Sequence, residues 1–280
     1  AGGPRGGAGA RRRRLGALLR LELQVALSLL RRGSRHSLGT DRSQVADLHL
    51  PSGPGPHPVA VLLHGGYWQT KHGRLVTRPL ALDLARRGVA AWNLEYRRLG
   101  EGRGGGGGWP MTFDDVAGGM DALATVEAPL DLSRVVLVGH SAGGQLALWA
   151  ARRQLLPAGA VGASPRVVAS AVCALAPVTN LERARVHAEA LLGGEAVEVA
   201  DRWEQADPIR AGAPGVPTLV VHPTADETVP VKRSREYASA FGVELVETPG
   251  SHRDPIDPSS EAWAVAAHWL EQVASLDPRG

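Results

Sequence analysis

A serine in a Gly-x-Ser-x-Gly motif is the residue whose type and surroundings most favour chemistry in this chain. Ser141 lies in Gly-His-Ser-Ala-Gly at residues 139–143, after the apolar run 135–138 and before the helix-like segment 145–150. A serine on a sharp turn from strand to helix stands clear of both elements and lies at the positive end of the helix. The flanking glycines suit a turn too tight for bulky side chains. This setting predicts a nucleophile, although such a motif also occurs in ordinary turns.

A serine hydroxyl is a weak nucleophile and needs a histidine base that is held by a carboxylate. Asp226 follows the apolar run 218–221, and His252 follows the run 243–246. Both are therefore predicted in loops after strands, in the chain order serine, acid, histidine. We expect Asp226 to be the acid, with Glu227 as the alternative, and His252 to be the base.

A glycine pair after another apolar run is a candidate source of backbone hydrogen-bond donors. Residues 64–68, His-Gly-Gly-Tyr-Trp, follow the run 59–63. Acyl transfer needs N–H groups that point at the developing oxyanion, and glycine lets the backbone approach it closely. We expect one donor to be the N–H of Ala142 and the second to come from this loop; a plain turn with an aromatic plug is the alternative. The residues alone leave the second donor open among Gly65, Gly66 and Tyr67.

Alternating strands and helices must position these residues. From residue 45 onward, short apolar runs alternate with helix-like segments. Continuous apolar strands separated by helices indicate a mostly parallel sheet that is covered on both faces. Ligands of such folds lie beyond the carboxyl ends of the strands, where Ser141, Asp226 and His252 are predicted. The predicted strands are 45–50, 59–63, 89–94, 135–138, 167–176, 218–221 and 243–246, and the predicted helices are 79–87, 113–123, 142–153, 231–241 and 259–274.

These motifs together resemble the kynurenine formamidase and carboxylesterase branch of the α/β-hydrolases. The resemblance rests on His-Gly-Gly-Tyr-Trp-Gln at 64–69, on the serine motif at 139–143, and on Asn-Leu-Glu-Tyr-Arg-Arg at 93–98 followed by Gly-Gly-Trp-Pro at 107–110. It covers about residues 45–275. One departure concerns the histidine, because the family often has Asp-His-Phe where this chain has Ser-His-Arg at 251–253.

The resemblance implies an α/β-hydrolase fold with a small helical cap, which we expect at about residues 181–210. It implies a triad of Ser141, Asp226 and His252. It also implies an oxyanion hole formed by Gly66, Tyr67 and Ala142. The departure beside the histidine bears on the choice of substrate more than on the triad.

The composition divides the chain near residue 40. Residues 1–40 hold nine of the 31 basic side chains and one of the 28 acidic ones, which leaves 41–280 with 22 basic and 27 acidic side chains. We therefore expect a disordered or partly helical tail over 1–40 and the hydrolase domain over 41–280. The acidic balance of the domain gives no support for nucleic-acid binding. A basic membrane-surface helix is an alternative for the tail, but we do not expect membrane contact.

Other residues give weaker signals. Trp68 and Trp109 are candidates for the walls of the substrate pocket, with core packing as the alternative. No His-Glu-x-x-His motif or Cys/His cluster indicates a metal, and Cys173 lies in an apolar run typical of a buried strand. Since a single cysteine cannot form an intrachain disulfide, we expect a reducing, cytoplasmic environment.

The sequence thus predicts a serine hydrolase that cleaves a small ester or amide through an acyl-enzyme, without a cofactor. Its expected partner is a small-molecule substrate. One alternative is an arylformamidase that hydrolyses N-formylkynurenine. Another is a non-catalytic binding protein on a hydrolase scaffold, because a fold alone does not ensure an activity.

Overall fold

A single sheet of eight strands organises the protein, whose computed structural model describes residues 19–30 and 33–275. The strands lie in the order β1-β2-β4-β3-β5-β6-β7-β8. Strand β2 is antiparallel to both β1 and β4, and all pairings among β3 to β8 are parallel. The strands are β1 (Ser34–Ser37), β2 (Val45–His49), β3 (His57–Leu63), β4 (Ala90–Leu94), β5 (Leu130–His140), β6 (Ala171–Leu175), β7 (Thr218–Pro223) and β8 (Glu244–Thr248).

Helices cover both faces of this sheet. They are α1 (19–28), α2 (Arg78–Arg86), α3 (Met111–Asp121), α4 (Ala142–Ala151), α5 (Arg185–Leu192), α6 (Ala200–Ala206), α7 (Pro208–Ala211), α8 (Lys232–Phe241) and α9 (Glu261–Ser275). Side chains alternate along a strand, so the apolar run of β3 serves both faces: Val61 packs on the side of α3 and α4, and Leu62 on the side of α2 and α9. This confirms the predicted α/β-hydrolase architecture with a mostly parallel, doubly covered sheet.

The amino-terminal boundary that we predicted at residue 41 is wrong. Strand β1 pairs with β2, with Arg35 opposite Asp47, so the sheet begins before that residue. Helix α1 packs Leu21 against the core, where only 6% of this residue is exposed. The physical reason is that one side chain, Leu21, finds a place in the core, while Leu19, Leu23 and Leu27 stay more than half exposed, so the leucine pattern alone does not show which residue docks. The Arg-rich stretch of the predicted tail lies outside the described residues.

Three short helices, α5 to α7, lie between β6 and β7, in the region where we predicted the cap. They bury apolar side chains against the rest of the domain, including Leu191 and Trp203, both fully buried. No helix in the described part of the chain combines the length and the apolar character needed to span a bilayer.

Candidate active site

Ser141 forms the turn between β5 and α4. Its backbone has φ 56° and ψ −118°, an unfavourable region for a residue with a side chain. The flanking glycines are required by contact: a Cβ atom on Gly139 would collide with the carbonyl group of Gly143, and one on Gly143 with that of Leu63. The turn is thereby tight enough to point the hydroxyl away from both elements.

The three residues predicted as serine, base and acid form one chain of hydrogen bonds. Nε2 of His252 lies 2.9 Å from Oγ of Ser141, and Nδ1 of His252 lies 2.6 Å from Oδ2 of Asp226. Ser141 and Asp226 are buried, and the side chain of His252 is 14% exposed. The carboxylate on His252 belongs to Asp226, while Glu227, the alternative acid, is exposed.

Asp226 is held as a carboxylate by several donors. Burial raises its pKa, but hydrogen bonds from His222 and His252 outweigh this effect, and the pKa lies well below its usual range. The other oxygen, Oδ1, accepts the backbone N–H groups of Thr228 and Val229 at 2.8 and 2.9 Å. Because a carboxylate only accepts, Nδ1 of His252 is the donor to Asp226, which leaves Nε2 of a neutral imidazole free to accept from Ser141.

His222 is a residue whose role the sequence reasoning missed. It lies in β7, fully buried, with Nε2 2.8 Å from the carbonyl oxygen of Val229 and 3.2 Å from Oδ2 of Asp226. Its Nδ1 lies 2.7 Å from the hydroxyl of Ser234. Nε2 must therefore carry the proton, since Val229 offers only an acceptor. The available signal was a histidine four residues before the predicted acid.

The loop after β3 lies beside Ser141, in agreement with the close backbone approach that its glycine pair predicted. Gly66 and Tyr67 have positive φ values of 120° and 53°. Across the described residues, the N–H groups of Gly66, Tyr67 and Ala142 donate to no protein acceptor. Backbone N–H groups in a protein interior normally have a hydrogen-bond partner. Unpaired N–H groups beside a nucleophile are therefore available to bind an oxygen atom of a ligand.

A buried network beneath this loop holds it in place. His64 is fully buried, with Nδ1 2.8 Å from the carbonyl oxygen of Gly65 and Nε2 2.7 Å from Oε1 of Glu95. The hydroxyl group of Tyr96 donates to the His64 carbonyl group at 2.6 Å, and the two rings stack at 4.4 Å. Burial raises the pKa of Glu95, but His64 and Arg98 outweigh it and lower the pKa to about 2.

His140 packs against the loop that carries the predicted base. Its Nε2 lies 2.8 Å from the carbonyl oxygen of His252. Burial and then the neighbouring His252 lower the pKa of His140 to about 3, so its ring is neutral at pH 7. A neutral ring donates Nε2–H to that carbonyl group and fixes the position of the His252 backbone.

A cavity of about 230 Å³ opens at Ser141. The predicted wall residues Trp68 and Trp109 do not line it. Trp68 is fully buried in the core, where its indole N–H donates to Oε1 of Gln145 at 3.1 Å. Trp109 packs half-buried against Phe113. Neither tryptophan therefore contributes to the wall of the cavity at Ser141. The cavity is lined by Leu21, Gly65, Gly66, Tyr67, His72, Val76, His140, Ser141, Thr228, His252, Arg253 and Ile256.

Other reactive groups lie away from this cavity. Cys173 is fully buried in β6, and burial raises the pKa of its thiol, so the reactive thiolate is disfavoured. The described residues contain no group of three or more His, Cys, Asp or Glu side chains that could hold a metal ion.

Solved structures of three proteins share this fold. The acetyl ester-xyloside bifunctional hydrolase of Caldicellulosiruptor lactoaceticus is 21% identical with a TM-score of 0.69, over 88% of this chain and 98% of that one. A truncated carbohydrate esterase from gut microbiota is 17% identical with a TM-score of 0.72, over 88% and 98%. The Thermogutta terrifontis esterase Est2 with bound butyrate is 22% identical with a TM-score of 0.68, over 89% and 96%. At such identities, the likeness shows the fold.

Sequence comparison shows the family. No curated protein matches the sequence. The BD-FAE family model matches residues 46–241, a range that includes Ser141 and Asp226 and ends before His252. The geometry of the site, the sheet topology and this match over most of the chain lead to one conclusion: the protein is an α/β-hydrolase that belongs to the BD-FAE family.

Proposed function

We propose that this protein is a serine hydrolase that cleaves small esters or amides through an acyl-enzyme intermediate. The observation that carries the proposal is the continuous hydrogen-bonded chain from Ser141 through His252 to Asp226, which opens into a cavity. This is the arrangement that turns a serine hydroxyl into a nucleophile at neutral pH.

In the proposed reaction, Oγ of Ser141 attacks the carbonyl carbon of the substrate while Nε2 of His252 accepts the hydroxyl proton. Asp226 orients the ring and stabilises the imidazolium that forms. The imidazolium then protonates the leaving group, and the acyl group remains on Ser141. A water molecule, deprotonated by His252, attacks the acyl-enzyme and releases the acid. No cofactor takes part.

The oxyanion of each tetrahedral intermediate is stabilised by backbone N–H groups. We assign these donors to Gly66, Tyr67 and Ala142, whose N–H groups are unpaired among the described residues. Such donors stabilise the transition state more than the ground state, because negative charge on the oxygen develops only as the bond forms.

Esters are the favoured substrate class. The structurally similar proteins include a carbohydrate esterase and an esterase solved with bound butyrate, and that esterase is also phosphoramylated by tabun. A cavity of about 230 Å³ at Ser141 suits a small acyl group. The cytoplasm remains the compartment that we propose.

Formamide hydrolysis is the second candidate. It rests on the resemblance of residues 64–69 and 93–98 to formamidases and would use the same serine. A binding protein without activity is less well supported, because such a protein has no need of a hydrogen-bonded serine, histidine and carboxylate.

The decisive experiment combines active-site labelling with turnover. A fluorophosphonate probe should label the wild-type protein once, at Ser141, and Ser141→Ala should abolish labelling. The variant should hydrolyse p-nitrophenyl esters with kcat lower by about 10⁴-fold, as for triad serines generally. A parallel assay with N-formylkynurenine decides between ester and formamide. Undiminished turnover in Ser141→Ala, or labelling at another residue, would contradict the proposal.

A further inference from the structure

The cavity at Ser141 adjoins a second one. This second cavity has a volume of about 290 Å³ and shares Tyr67 and Thr228 with the first. A substrate whose reacting carbonyl lies at Ser141 can therefore extend past these two side chains. The ring of Tyr67 packs on the ring of His187 in α5, with 4.6 Å between the ring centroids, so α5 supports the wall that the two cavities share.

The charged side chains that line the two cavities are of one sign. Arg253 lines the first cavity, and Arg183 and Arg233 line the second. No aspartate or glutamate is among the described residues that line either cavity. A substrate in this space therefore meets arginine side chains and no carboxylate among the described lining residues.

Two of these arginines have no side-chain partner among the described residues. They are Arg253 and Arg183, whose guanidinium groups have no hydrogen bond and no ion pair in this part of the chain. Arg233, in contrast, lies 3.2 Å from Oε2 of Glu236. Both unpaired side chains belong to exposed residues, so their charges are hydrated at little cost and are available to a ligand.

The positive charge of Arg253 affects the pKa of a neighbouring histidine. Burial, followed by the charges of Arg253 and Lys71, lowers the pKa of His72, another residue of the first cavity. The lowered pKa favours the neutral form of His72, which leaves the guanidinium group of Arg253 as the cation at this wall. Asp226 is buried, and its carboxylate is hydrogen-bonded to His252. The carboxylate of Asp254, the residue after Arg253, accepts from the backbone N–H and the hydroxyl of Ser251.

The second cavity also has an unsatisfied polar group. Oδ1 of Asn180, one of its lining residues, is buried and has no hydrogen-bond partner among the residues that the structure describes. Buried polar atoms normally find a partner, so an orphaned one at a cavity indicates a polar ligand group. If the amide group of Asn180 is rotated by 180°, its nitrogen takes the place of Oδ1, so the site presents either an acceptor or a donor to that ligand.

We propose that the preferred substrates of this hydrolase carry an anionic group, a carboxylate in the simplest case, which Arg253 and Arg183 bind in these two cavities. This inference rests on the proposed hydrolase function and names the substrate class of the same site. A guanidinium group binds a carboxylate through two parallel N–H···O bonds, which fixes orientation as well as attracting charge. Arg253 follows the base His252 directly in the chain and lines the cavity at Ser141.

Two pairs of substrates test the proposal. The first pair places the charge on the acyl side: p-nitrophenyl glutarate against p-nitrophenyl valerate, its neutral counterpart. The second places it on the leaving group: the butyrate ester of 4-hydroxybenzoate against phenyl butyrate. Wild-type kcat/KM should be about tenfold higher for the anionic member of one pair, the factor expected for one charge-assisted hydrogen bond at a partly exposed site. The pair that shows the preference identifies the half of the substrate that carries the charge.

Three variants assign the preference to residues. Arg253→Gln and Arg183→Gln should each reduce the ratio of anionic to neutral kcat/KM, and the double variant should bring it close to one. Arg235→Gln is the matched control, because Arg235 is exposed on α8 and bonded to Glu247 at 2.7 and 2.6 Å. It should keep the wild-type ratio. Added salt should reduce the wild-type preference and leave the neutral substrates almost unaffected.

The outcomes separate this inference from the proposed function. Hydrolysis of the neutral esters with no preference in either pair would overturn the inference and leave the hydrolase intact. A preference that persists in the double variant would equally contradict the assignment to Arg253 and Arg183. If no ester or formamide is cleaved and Ser141 is not labelled, the proposed function fails first.

Discussion

Nε2 of His222 lies 3.2 Å from Oδ2 of Asp226, the oxygen that also lies 2.6 Å from Nδ1 of His252. Two histidines therefore share one carboxylate oxygen, and only one of them reaches Ser141. His222 is fixed from both sides, by Val229 and Ser234. We propose that His222 is a positioning residue, which holds the carboxylate in the orientation that His252 needs.

Replacing His222 should lower turnover. In His222→Gln the carboxylate loses a fixed donor, so we expect kcat to fall by about tenfold, the equivalent of one hydrogen bond to a charged group, with little change in KM. Steady-state kinetics with a p-nitrophenyl ester would measure this. His268→Gln, at an exposed position of α9, is the control and should retain wild-type kinetics. Equal kinetics in the two variants would show that His222 has no positioning role.

Gly65 should tolerate no side chain. A Cβ atom there would lie 2.8 Å from the carbonyl oxygen of His140 and 2.9 Å from Cβ of Ser141, so the loop or the nucleophile must move. We expect Gly65→Ala to lower kcat by about 100-fold, the effect of a displacement of about 1 Å at a reacting centre. Gly118→Ala is the control, because its Cβ meets no atom within 4 Å in the middle of α3. It should keep activity and gain up to about 1 kcal/mol of stability.

Helix α1 should contribute to stability and to the substrate cavity. Leu21 is 6% exposed and lines the cavity at Ser141, whereas Leu23, two residues on, is 59% exposed. Leu21→Ala should lower the free energy of unfolding by about 2 kcal/mol and raise KM for small esters. Leu23→Ala should change stability by less than about 0.5 kcal/mol. Chemical denaturation and kinetics would test both, and identical behaviour would mean that α1 does not dock in solution.

The stability of the cap region should depend on pH through Asp207. This residue is fully buried, its Oδ1 accepts the N–H of Leu181 at 2.9 Å, and burial raises its pKa to about 6. A folded pKa above the unfolded value favours the protonated form, so this contribution is complete below the unfolded pKa of 3.8 and is lost as the pH rises through about 6.

Asp207→Asn should therefore stabilise the protein most at alkaline pH. We expect a higher Tm than wild type near pH 8, corresponding to roughly 1–3 kcal/mol, and little advantage near pH 4. The asparagine keeps the Oδ1 acceptor while removing a buried charge. Asp201→Asn, at an exposed position of α6, should shift Tm equally at both pH values. A gain for Asp207→Asn that does not vary with pH would show that its carboxyl titrates normally.

Local patterns were sufficient for much of the fold and the proposed site. The glycines around Ser141 are required by contacts within a few residues of the chain and with the adjacent strand. The five-residue motif at 139–143 was therefore sufficient to predict the turn. The apolar runs that became β3 and β5 are continuous because parallel strands are buried on both faces. Asp226 and His252 were predicted from their positions after strands, since parallel strands bring their carboxyl ends to one edge.

What the sequence could not decide depends on contacts between distant segments. The sequence predicted α1 as part of a tail, because the core residues that contact Leu21 come from distant parts of the chain. Strand β1 likewise depends on its pairing with β2. A tryptophan such as Trp68 suits a pocket wall as well as a core. Its position in the core is fixed in part by a hydrogen bond to Gln145, which lies 77 residues away in the chain. The sequence by itself determined the elements and the order of the reactive groups, because these follow from local geometry and periodicity. Tertiary packing alone decided which faces are buried and that His222 meets Asp226.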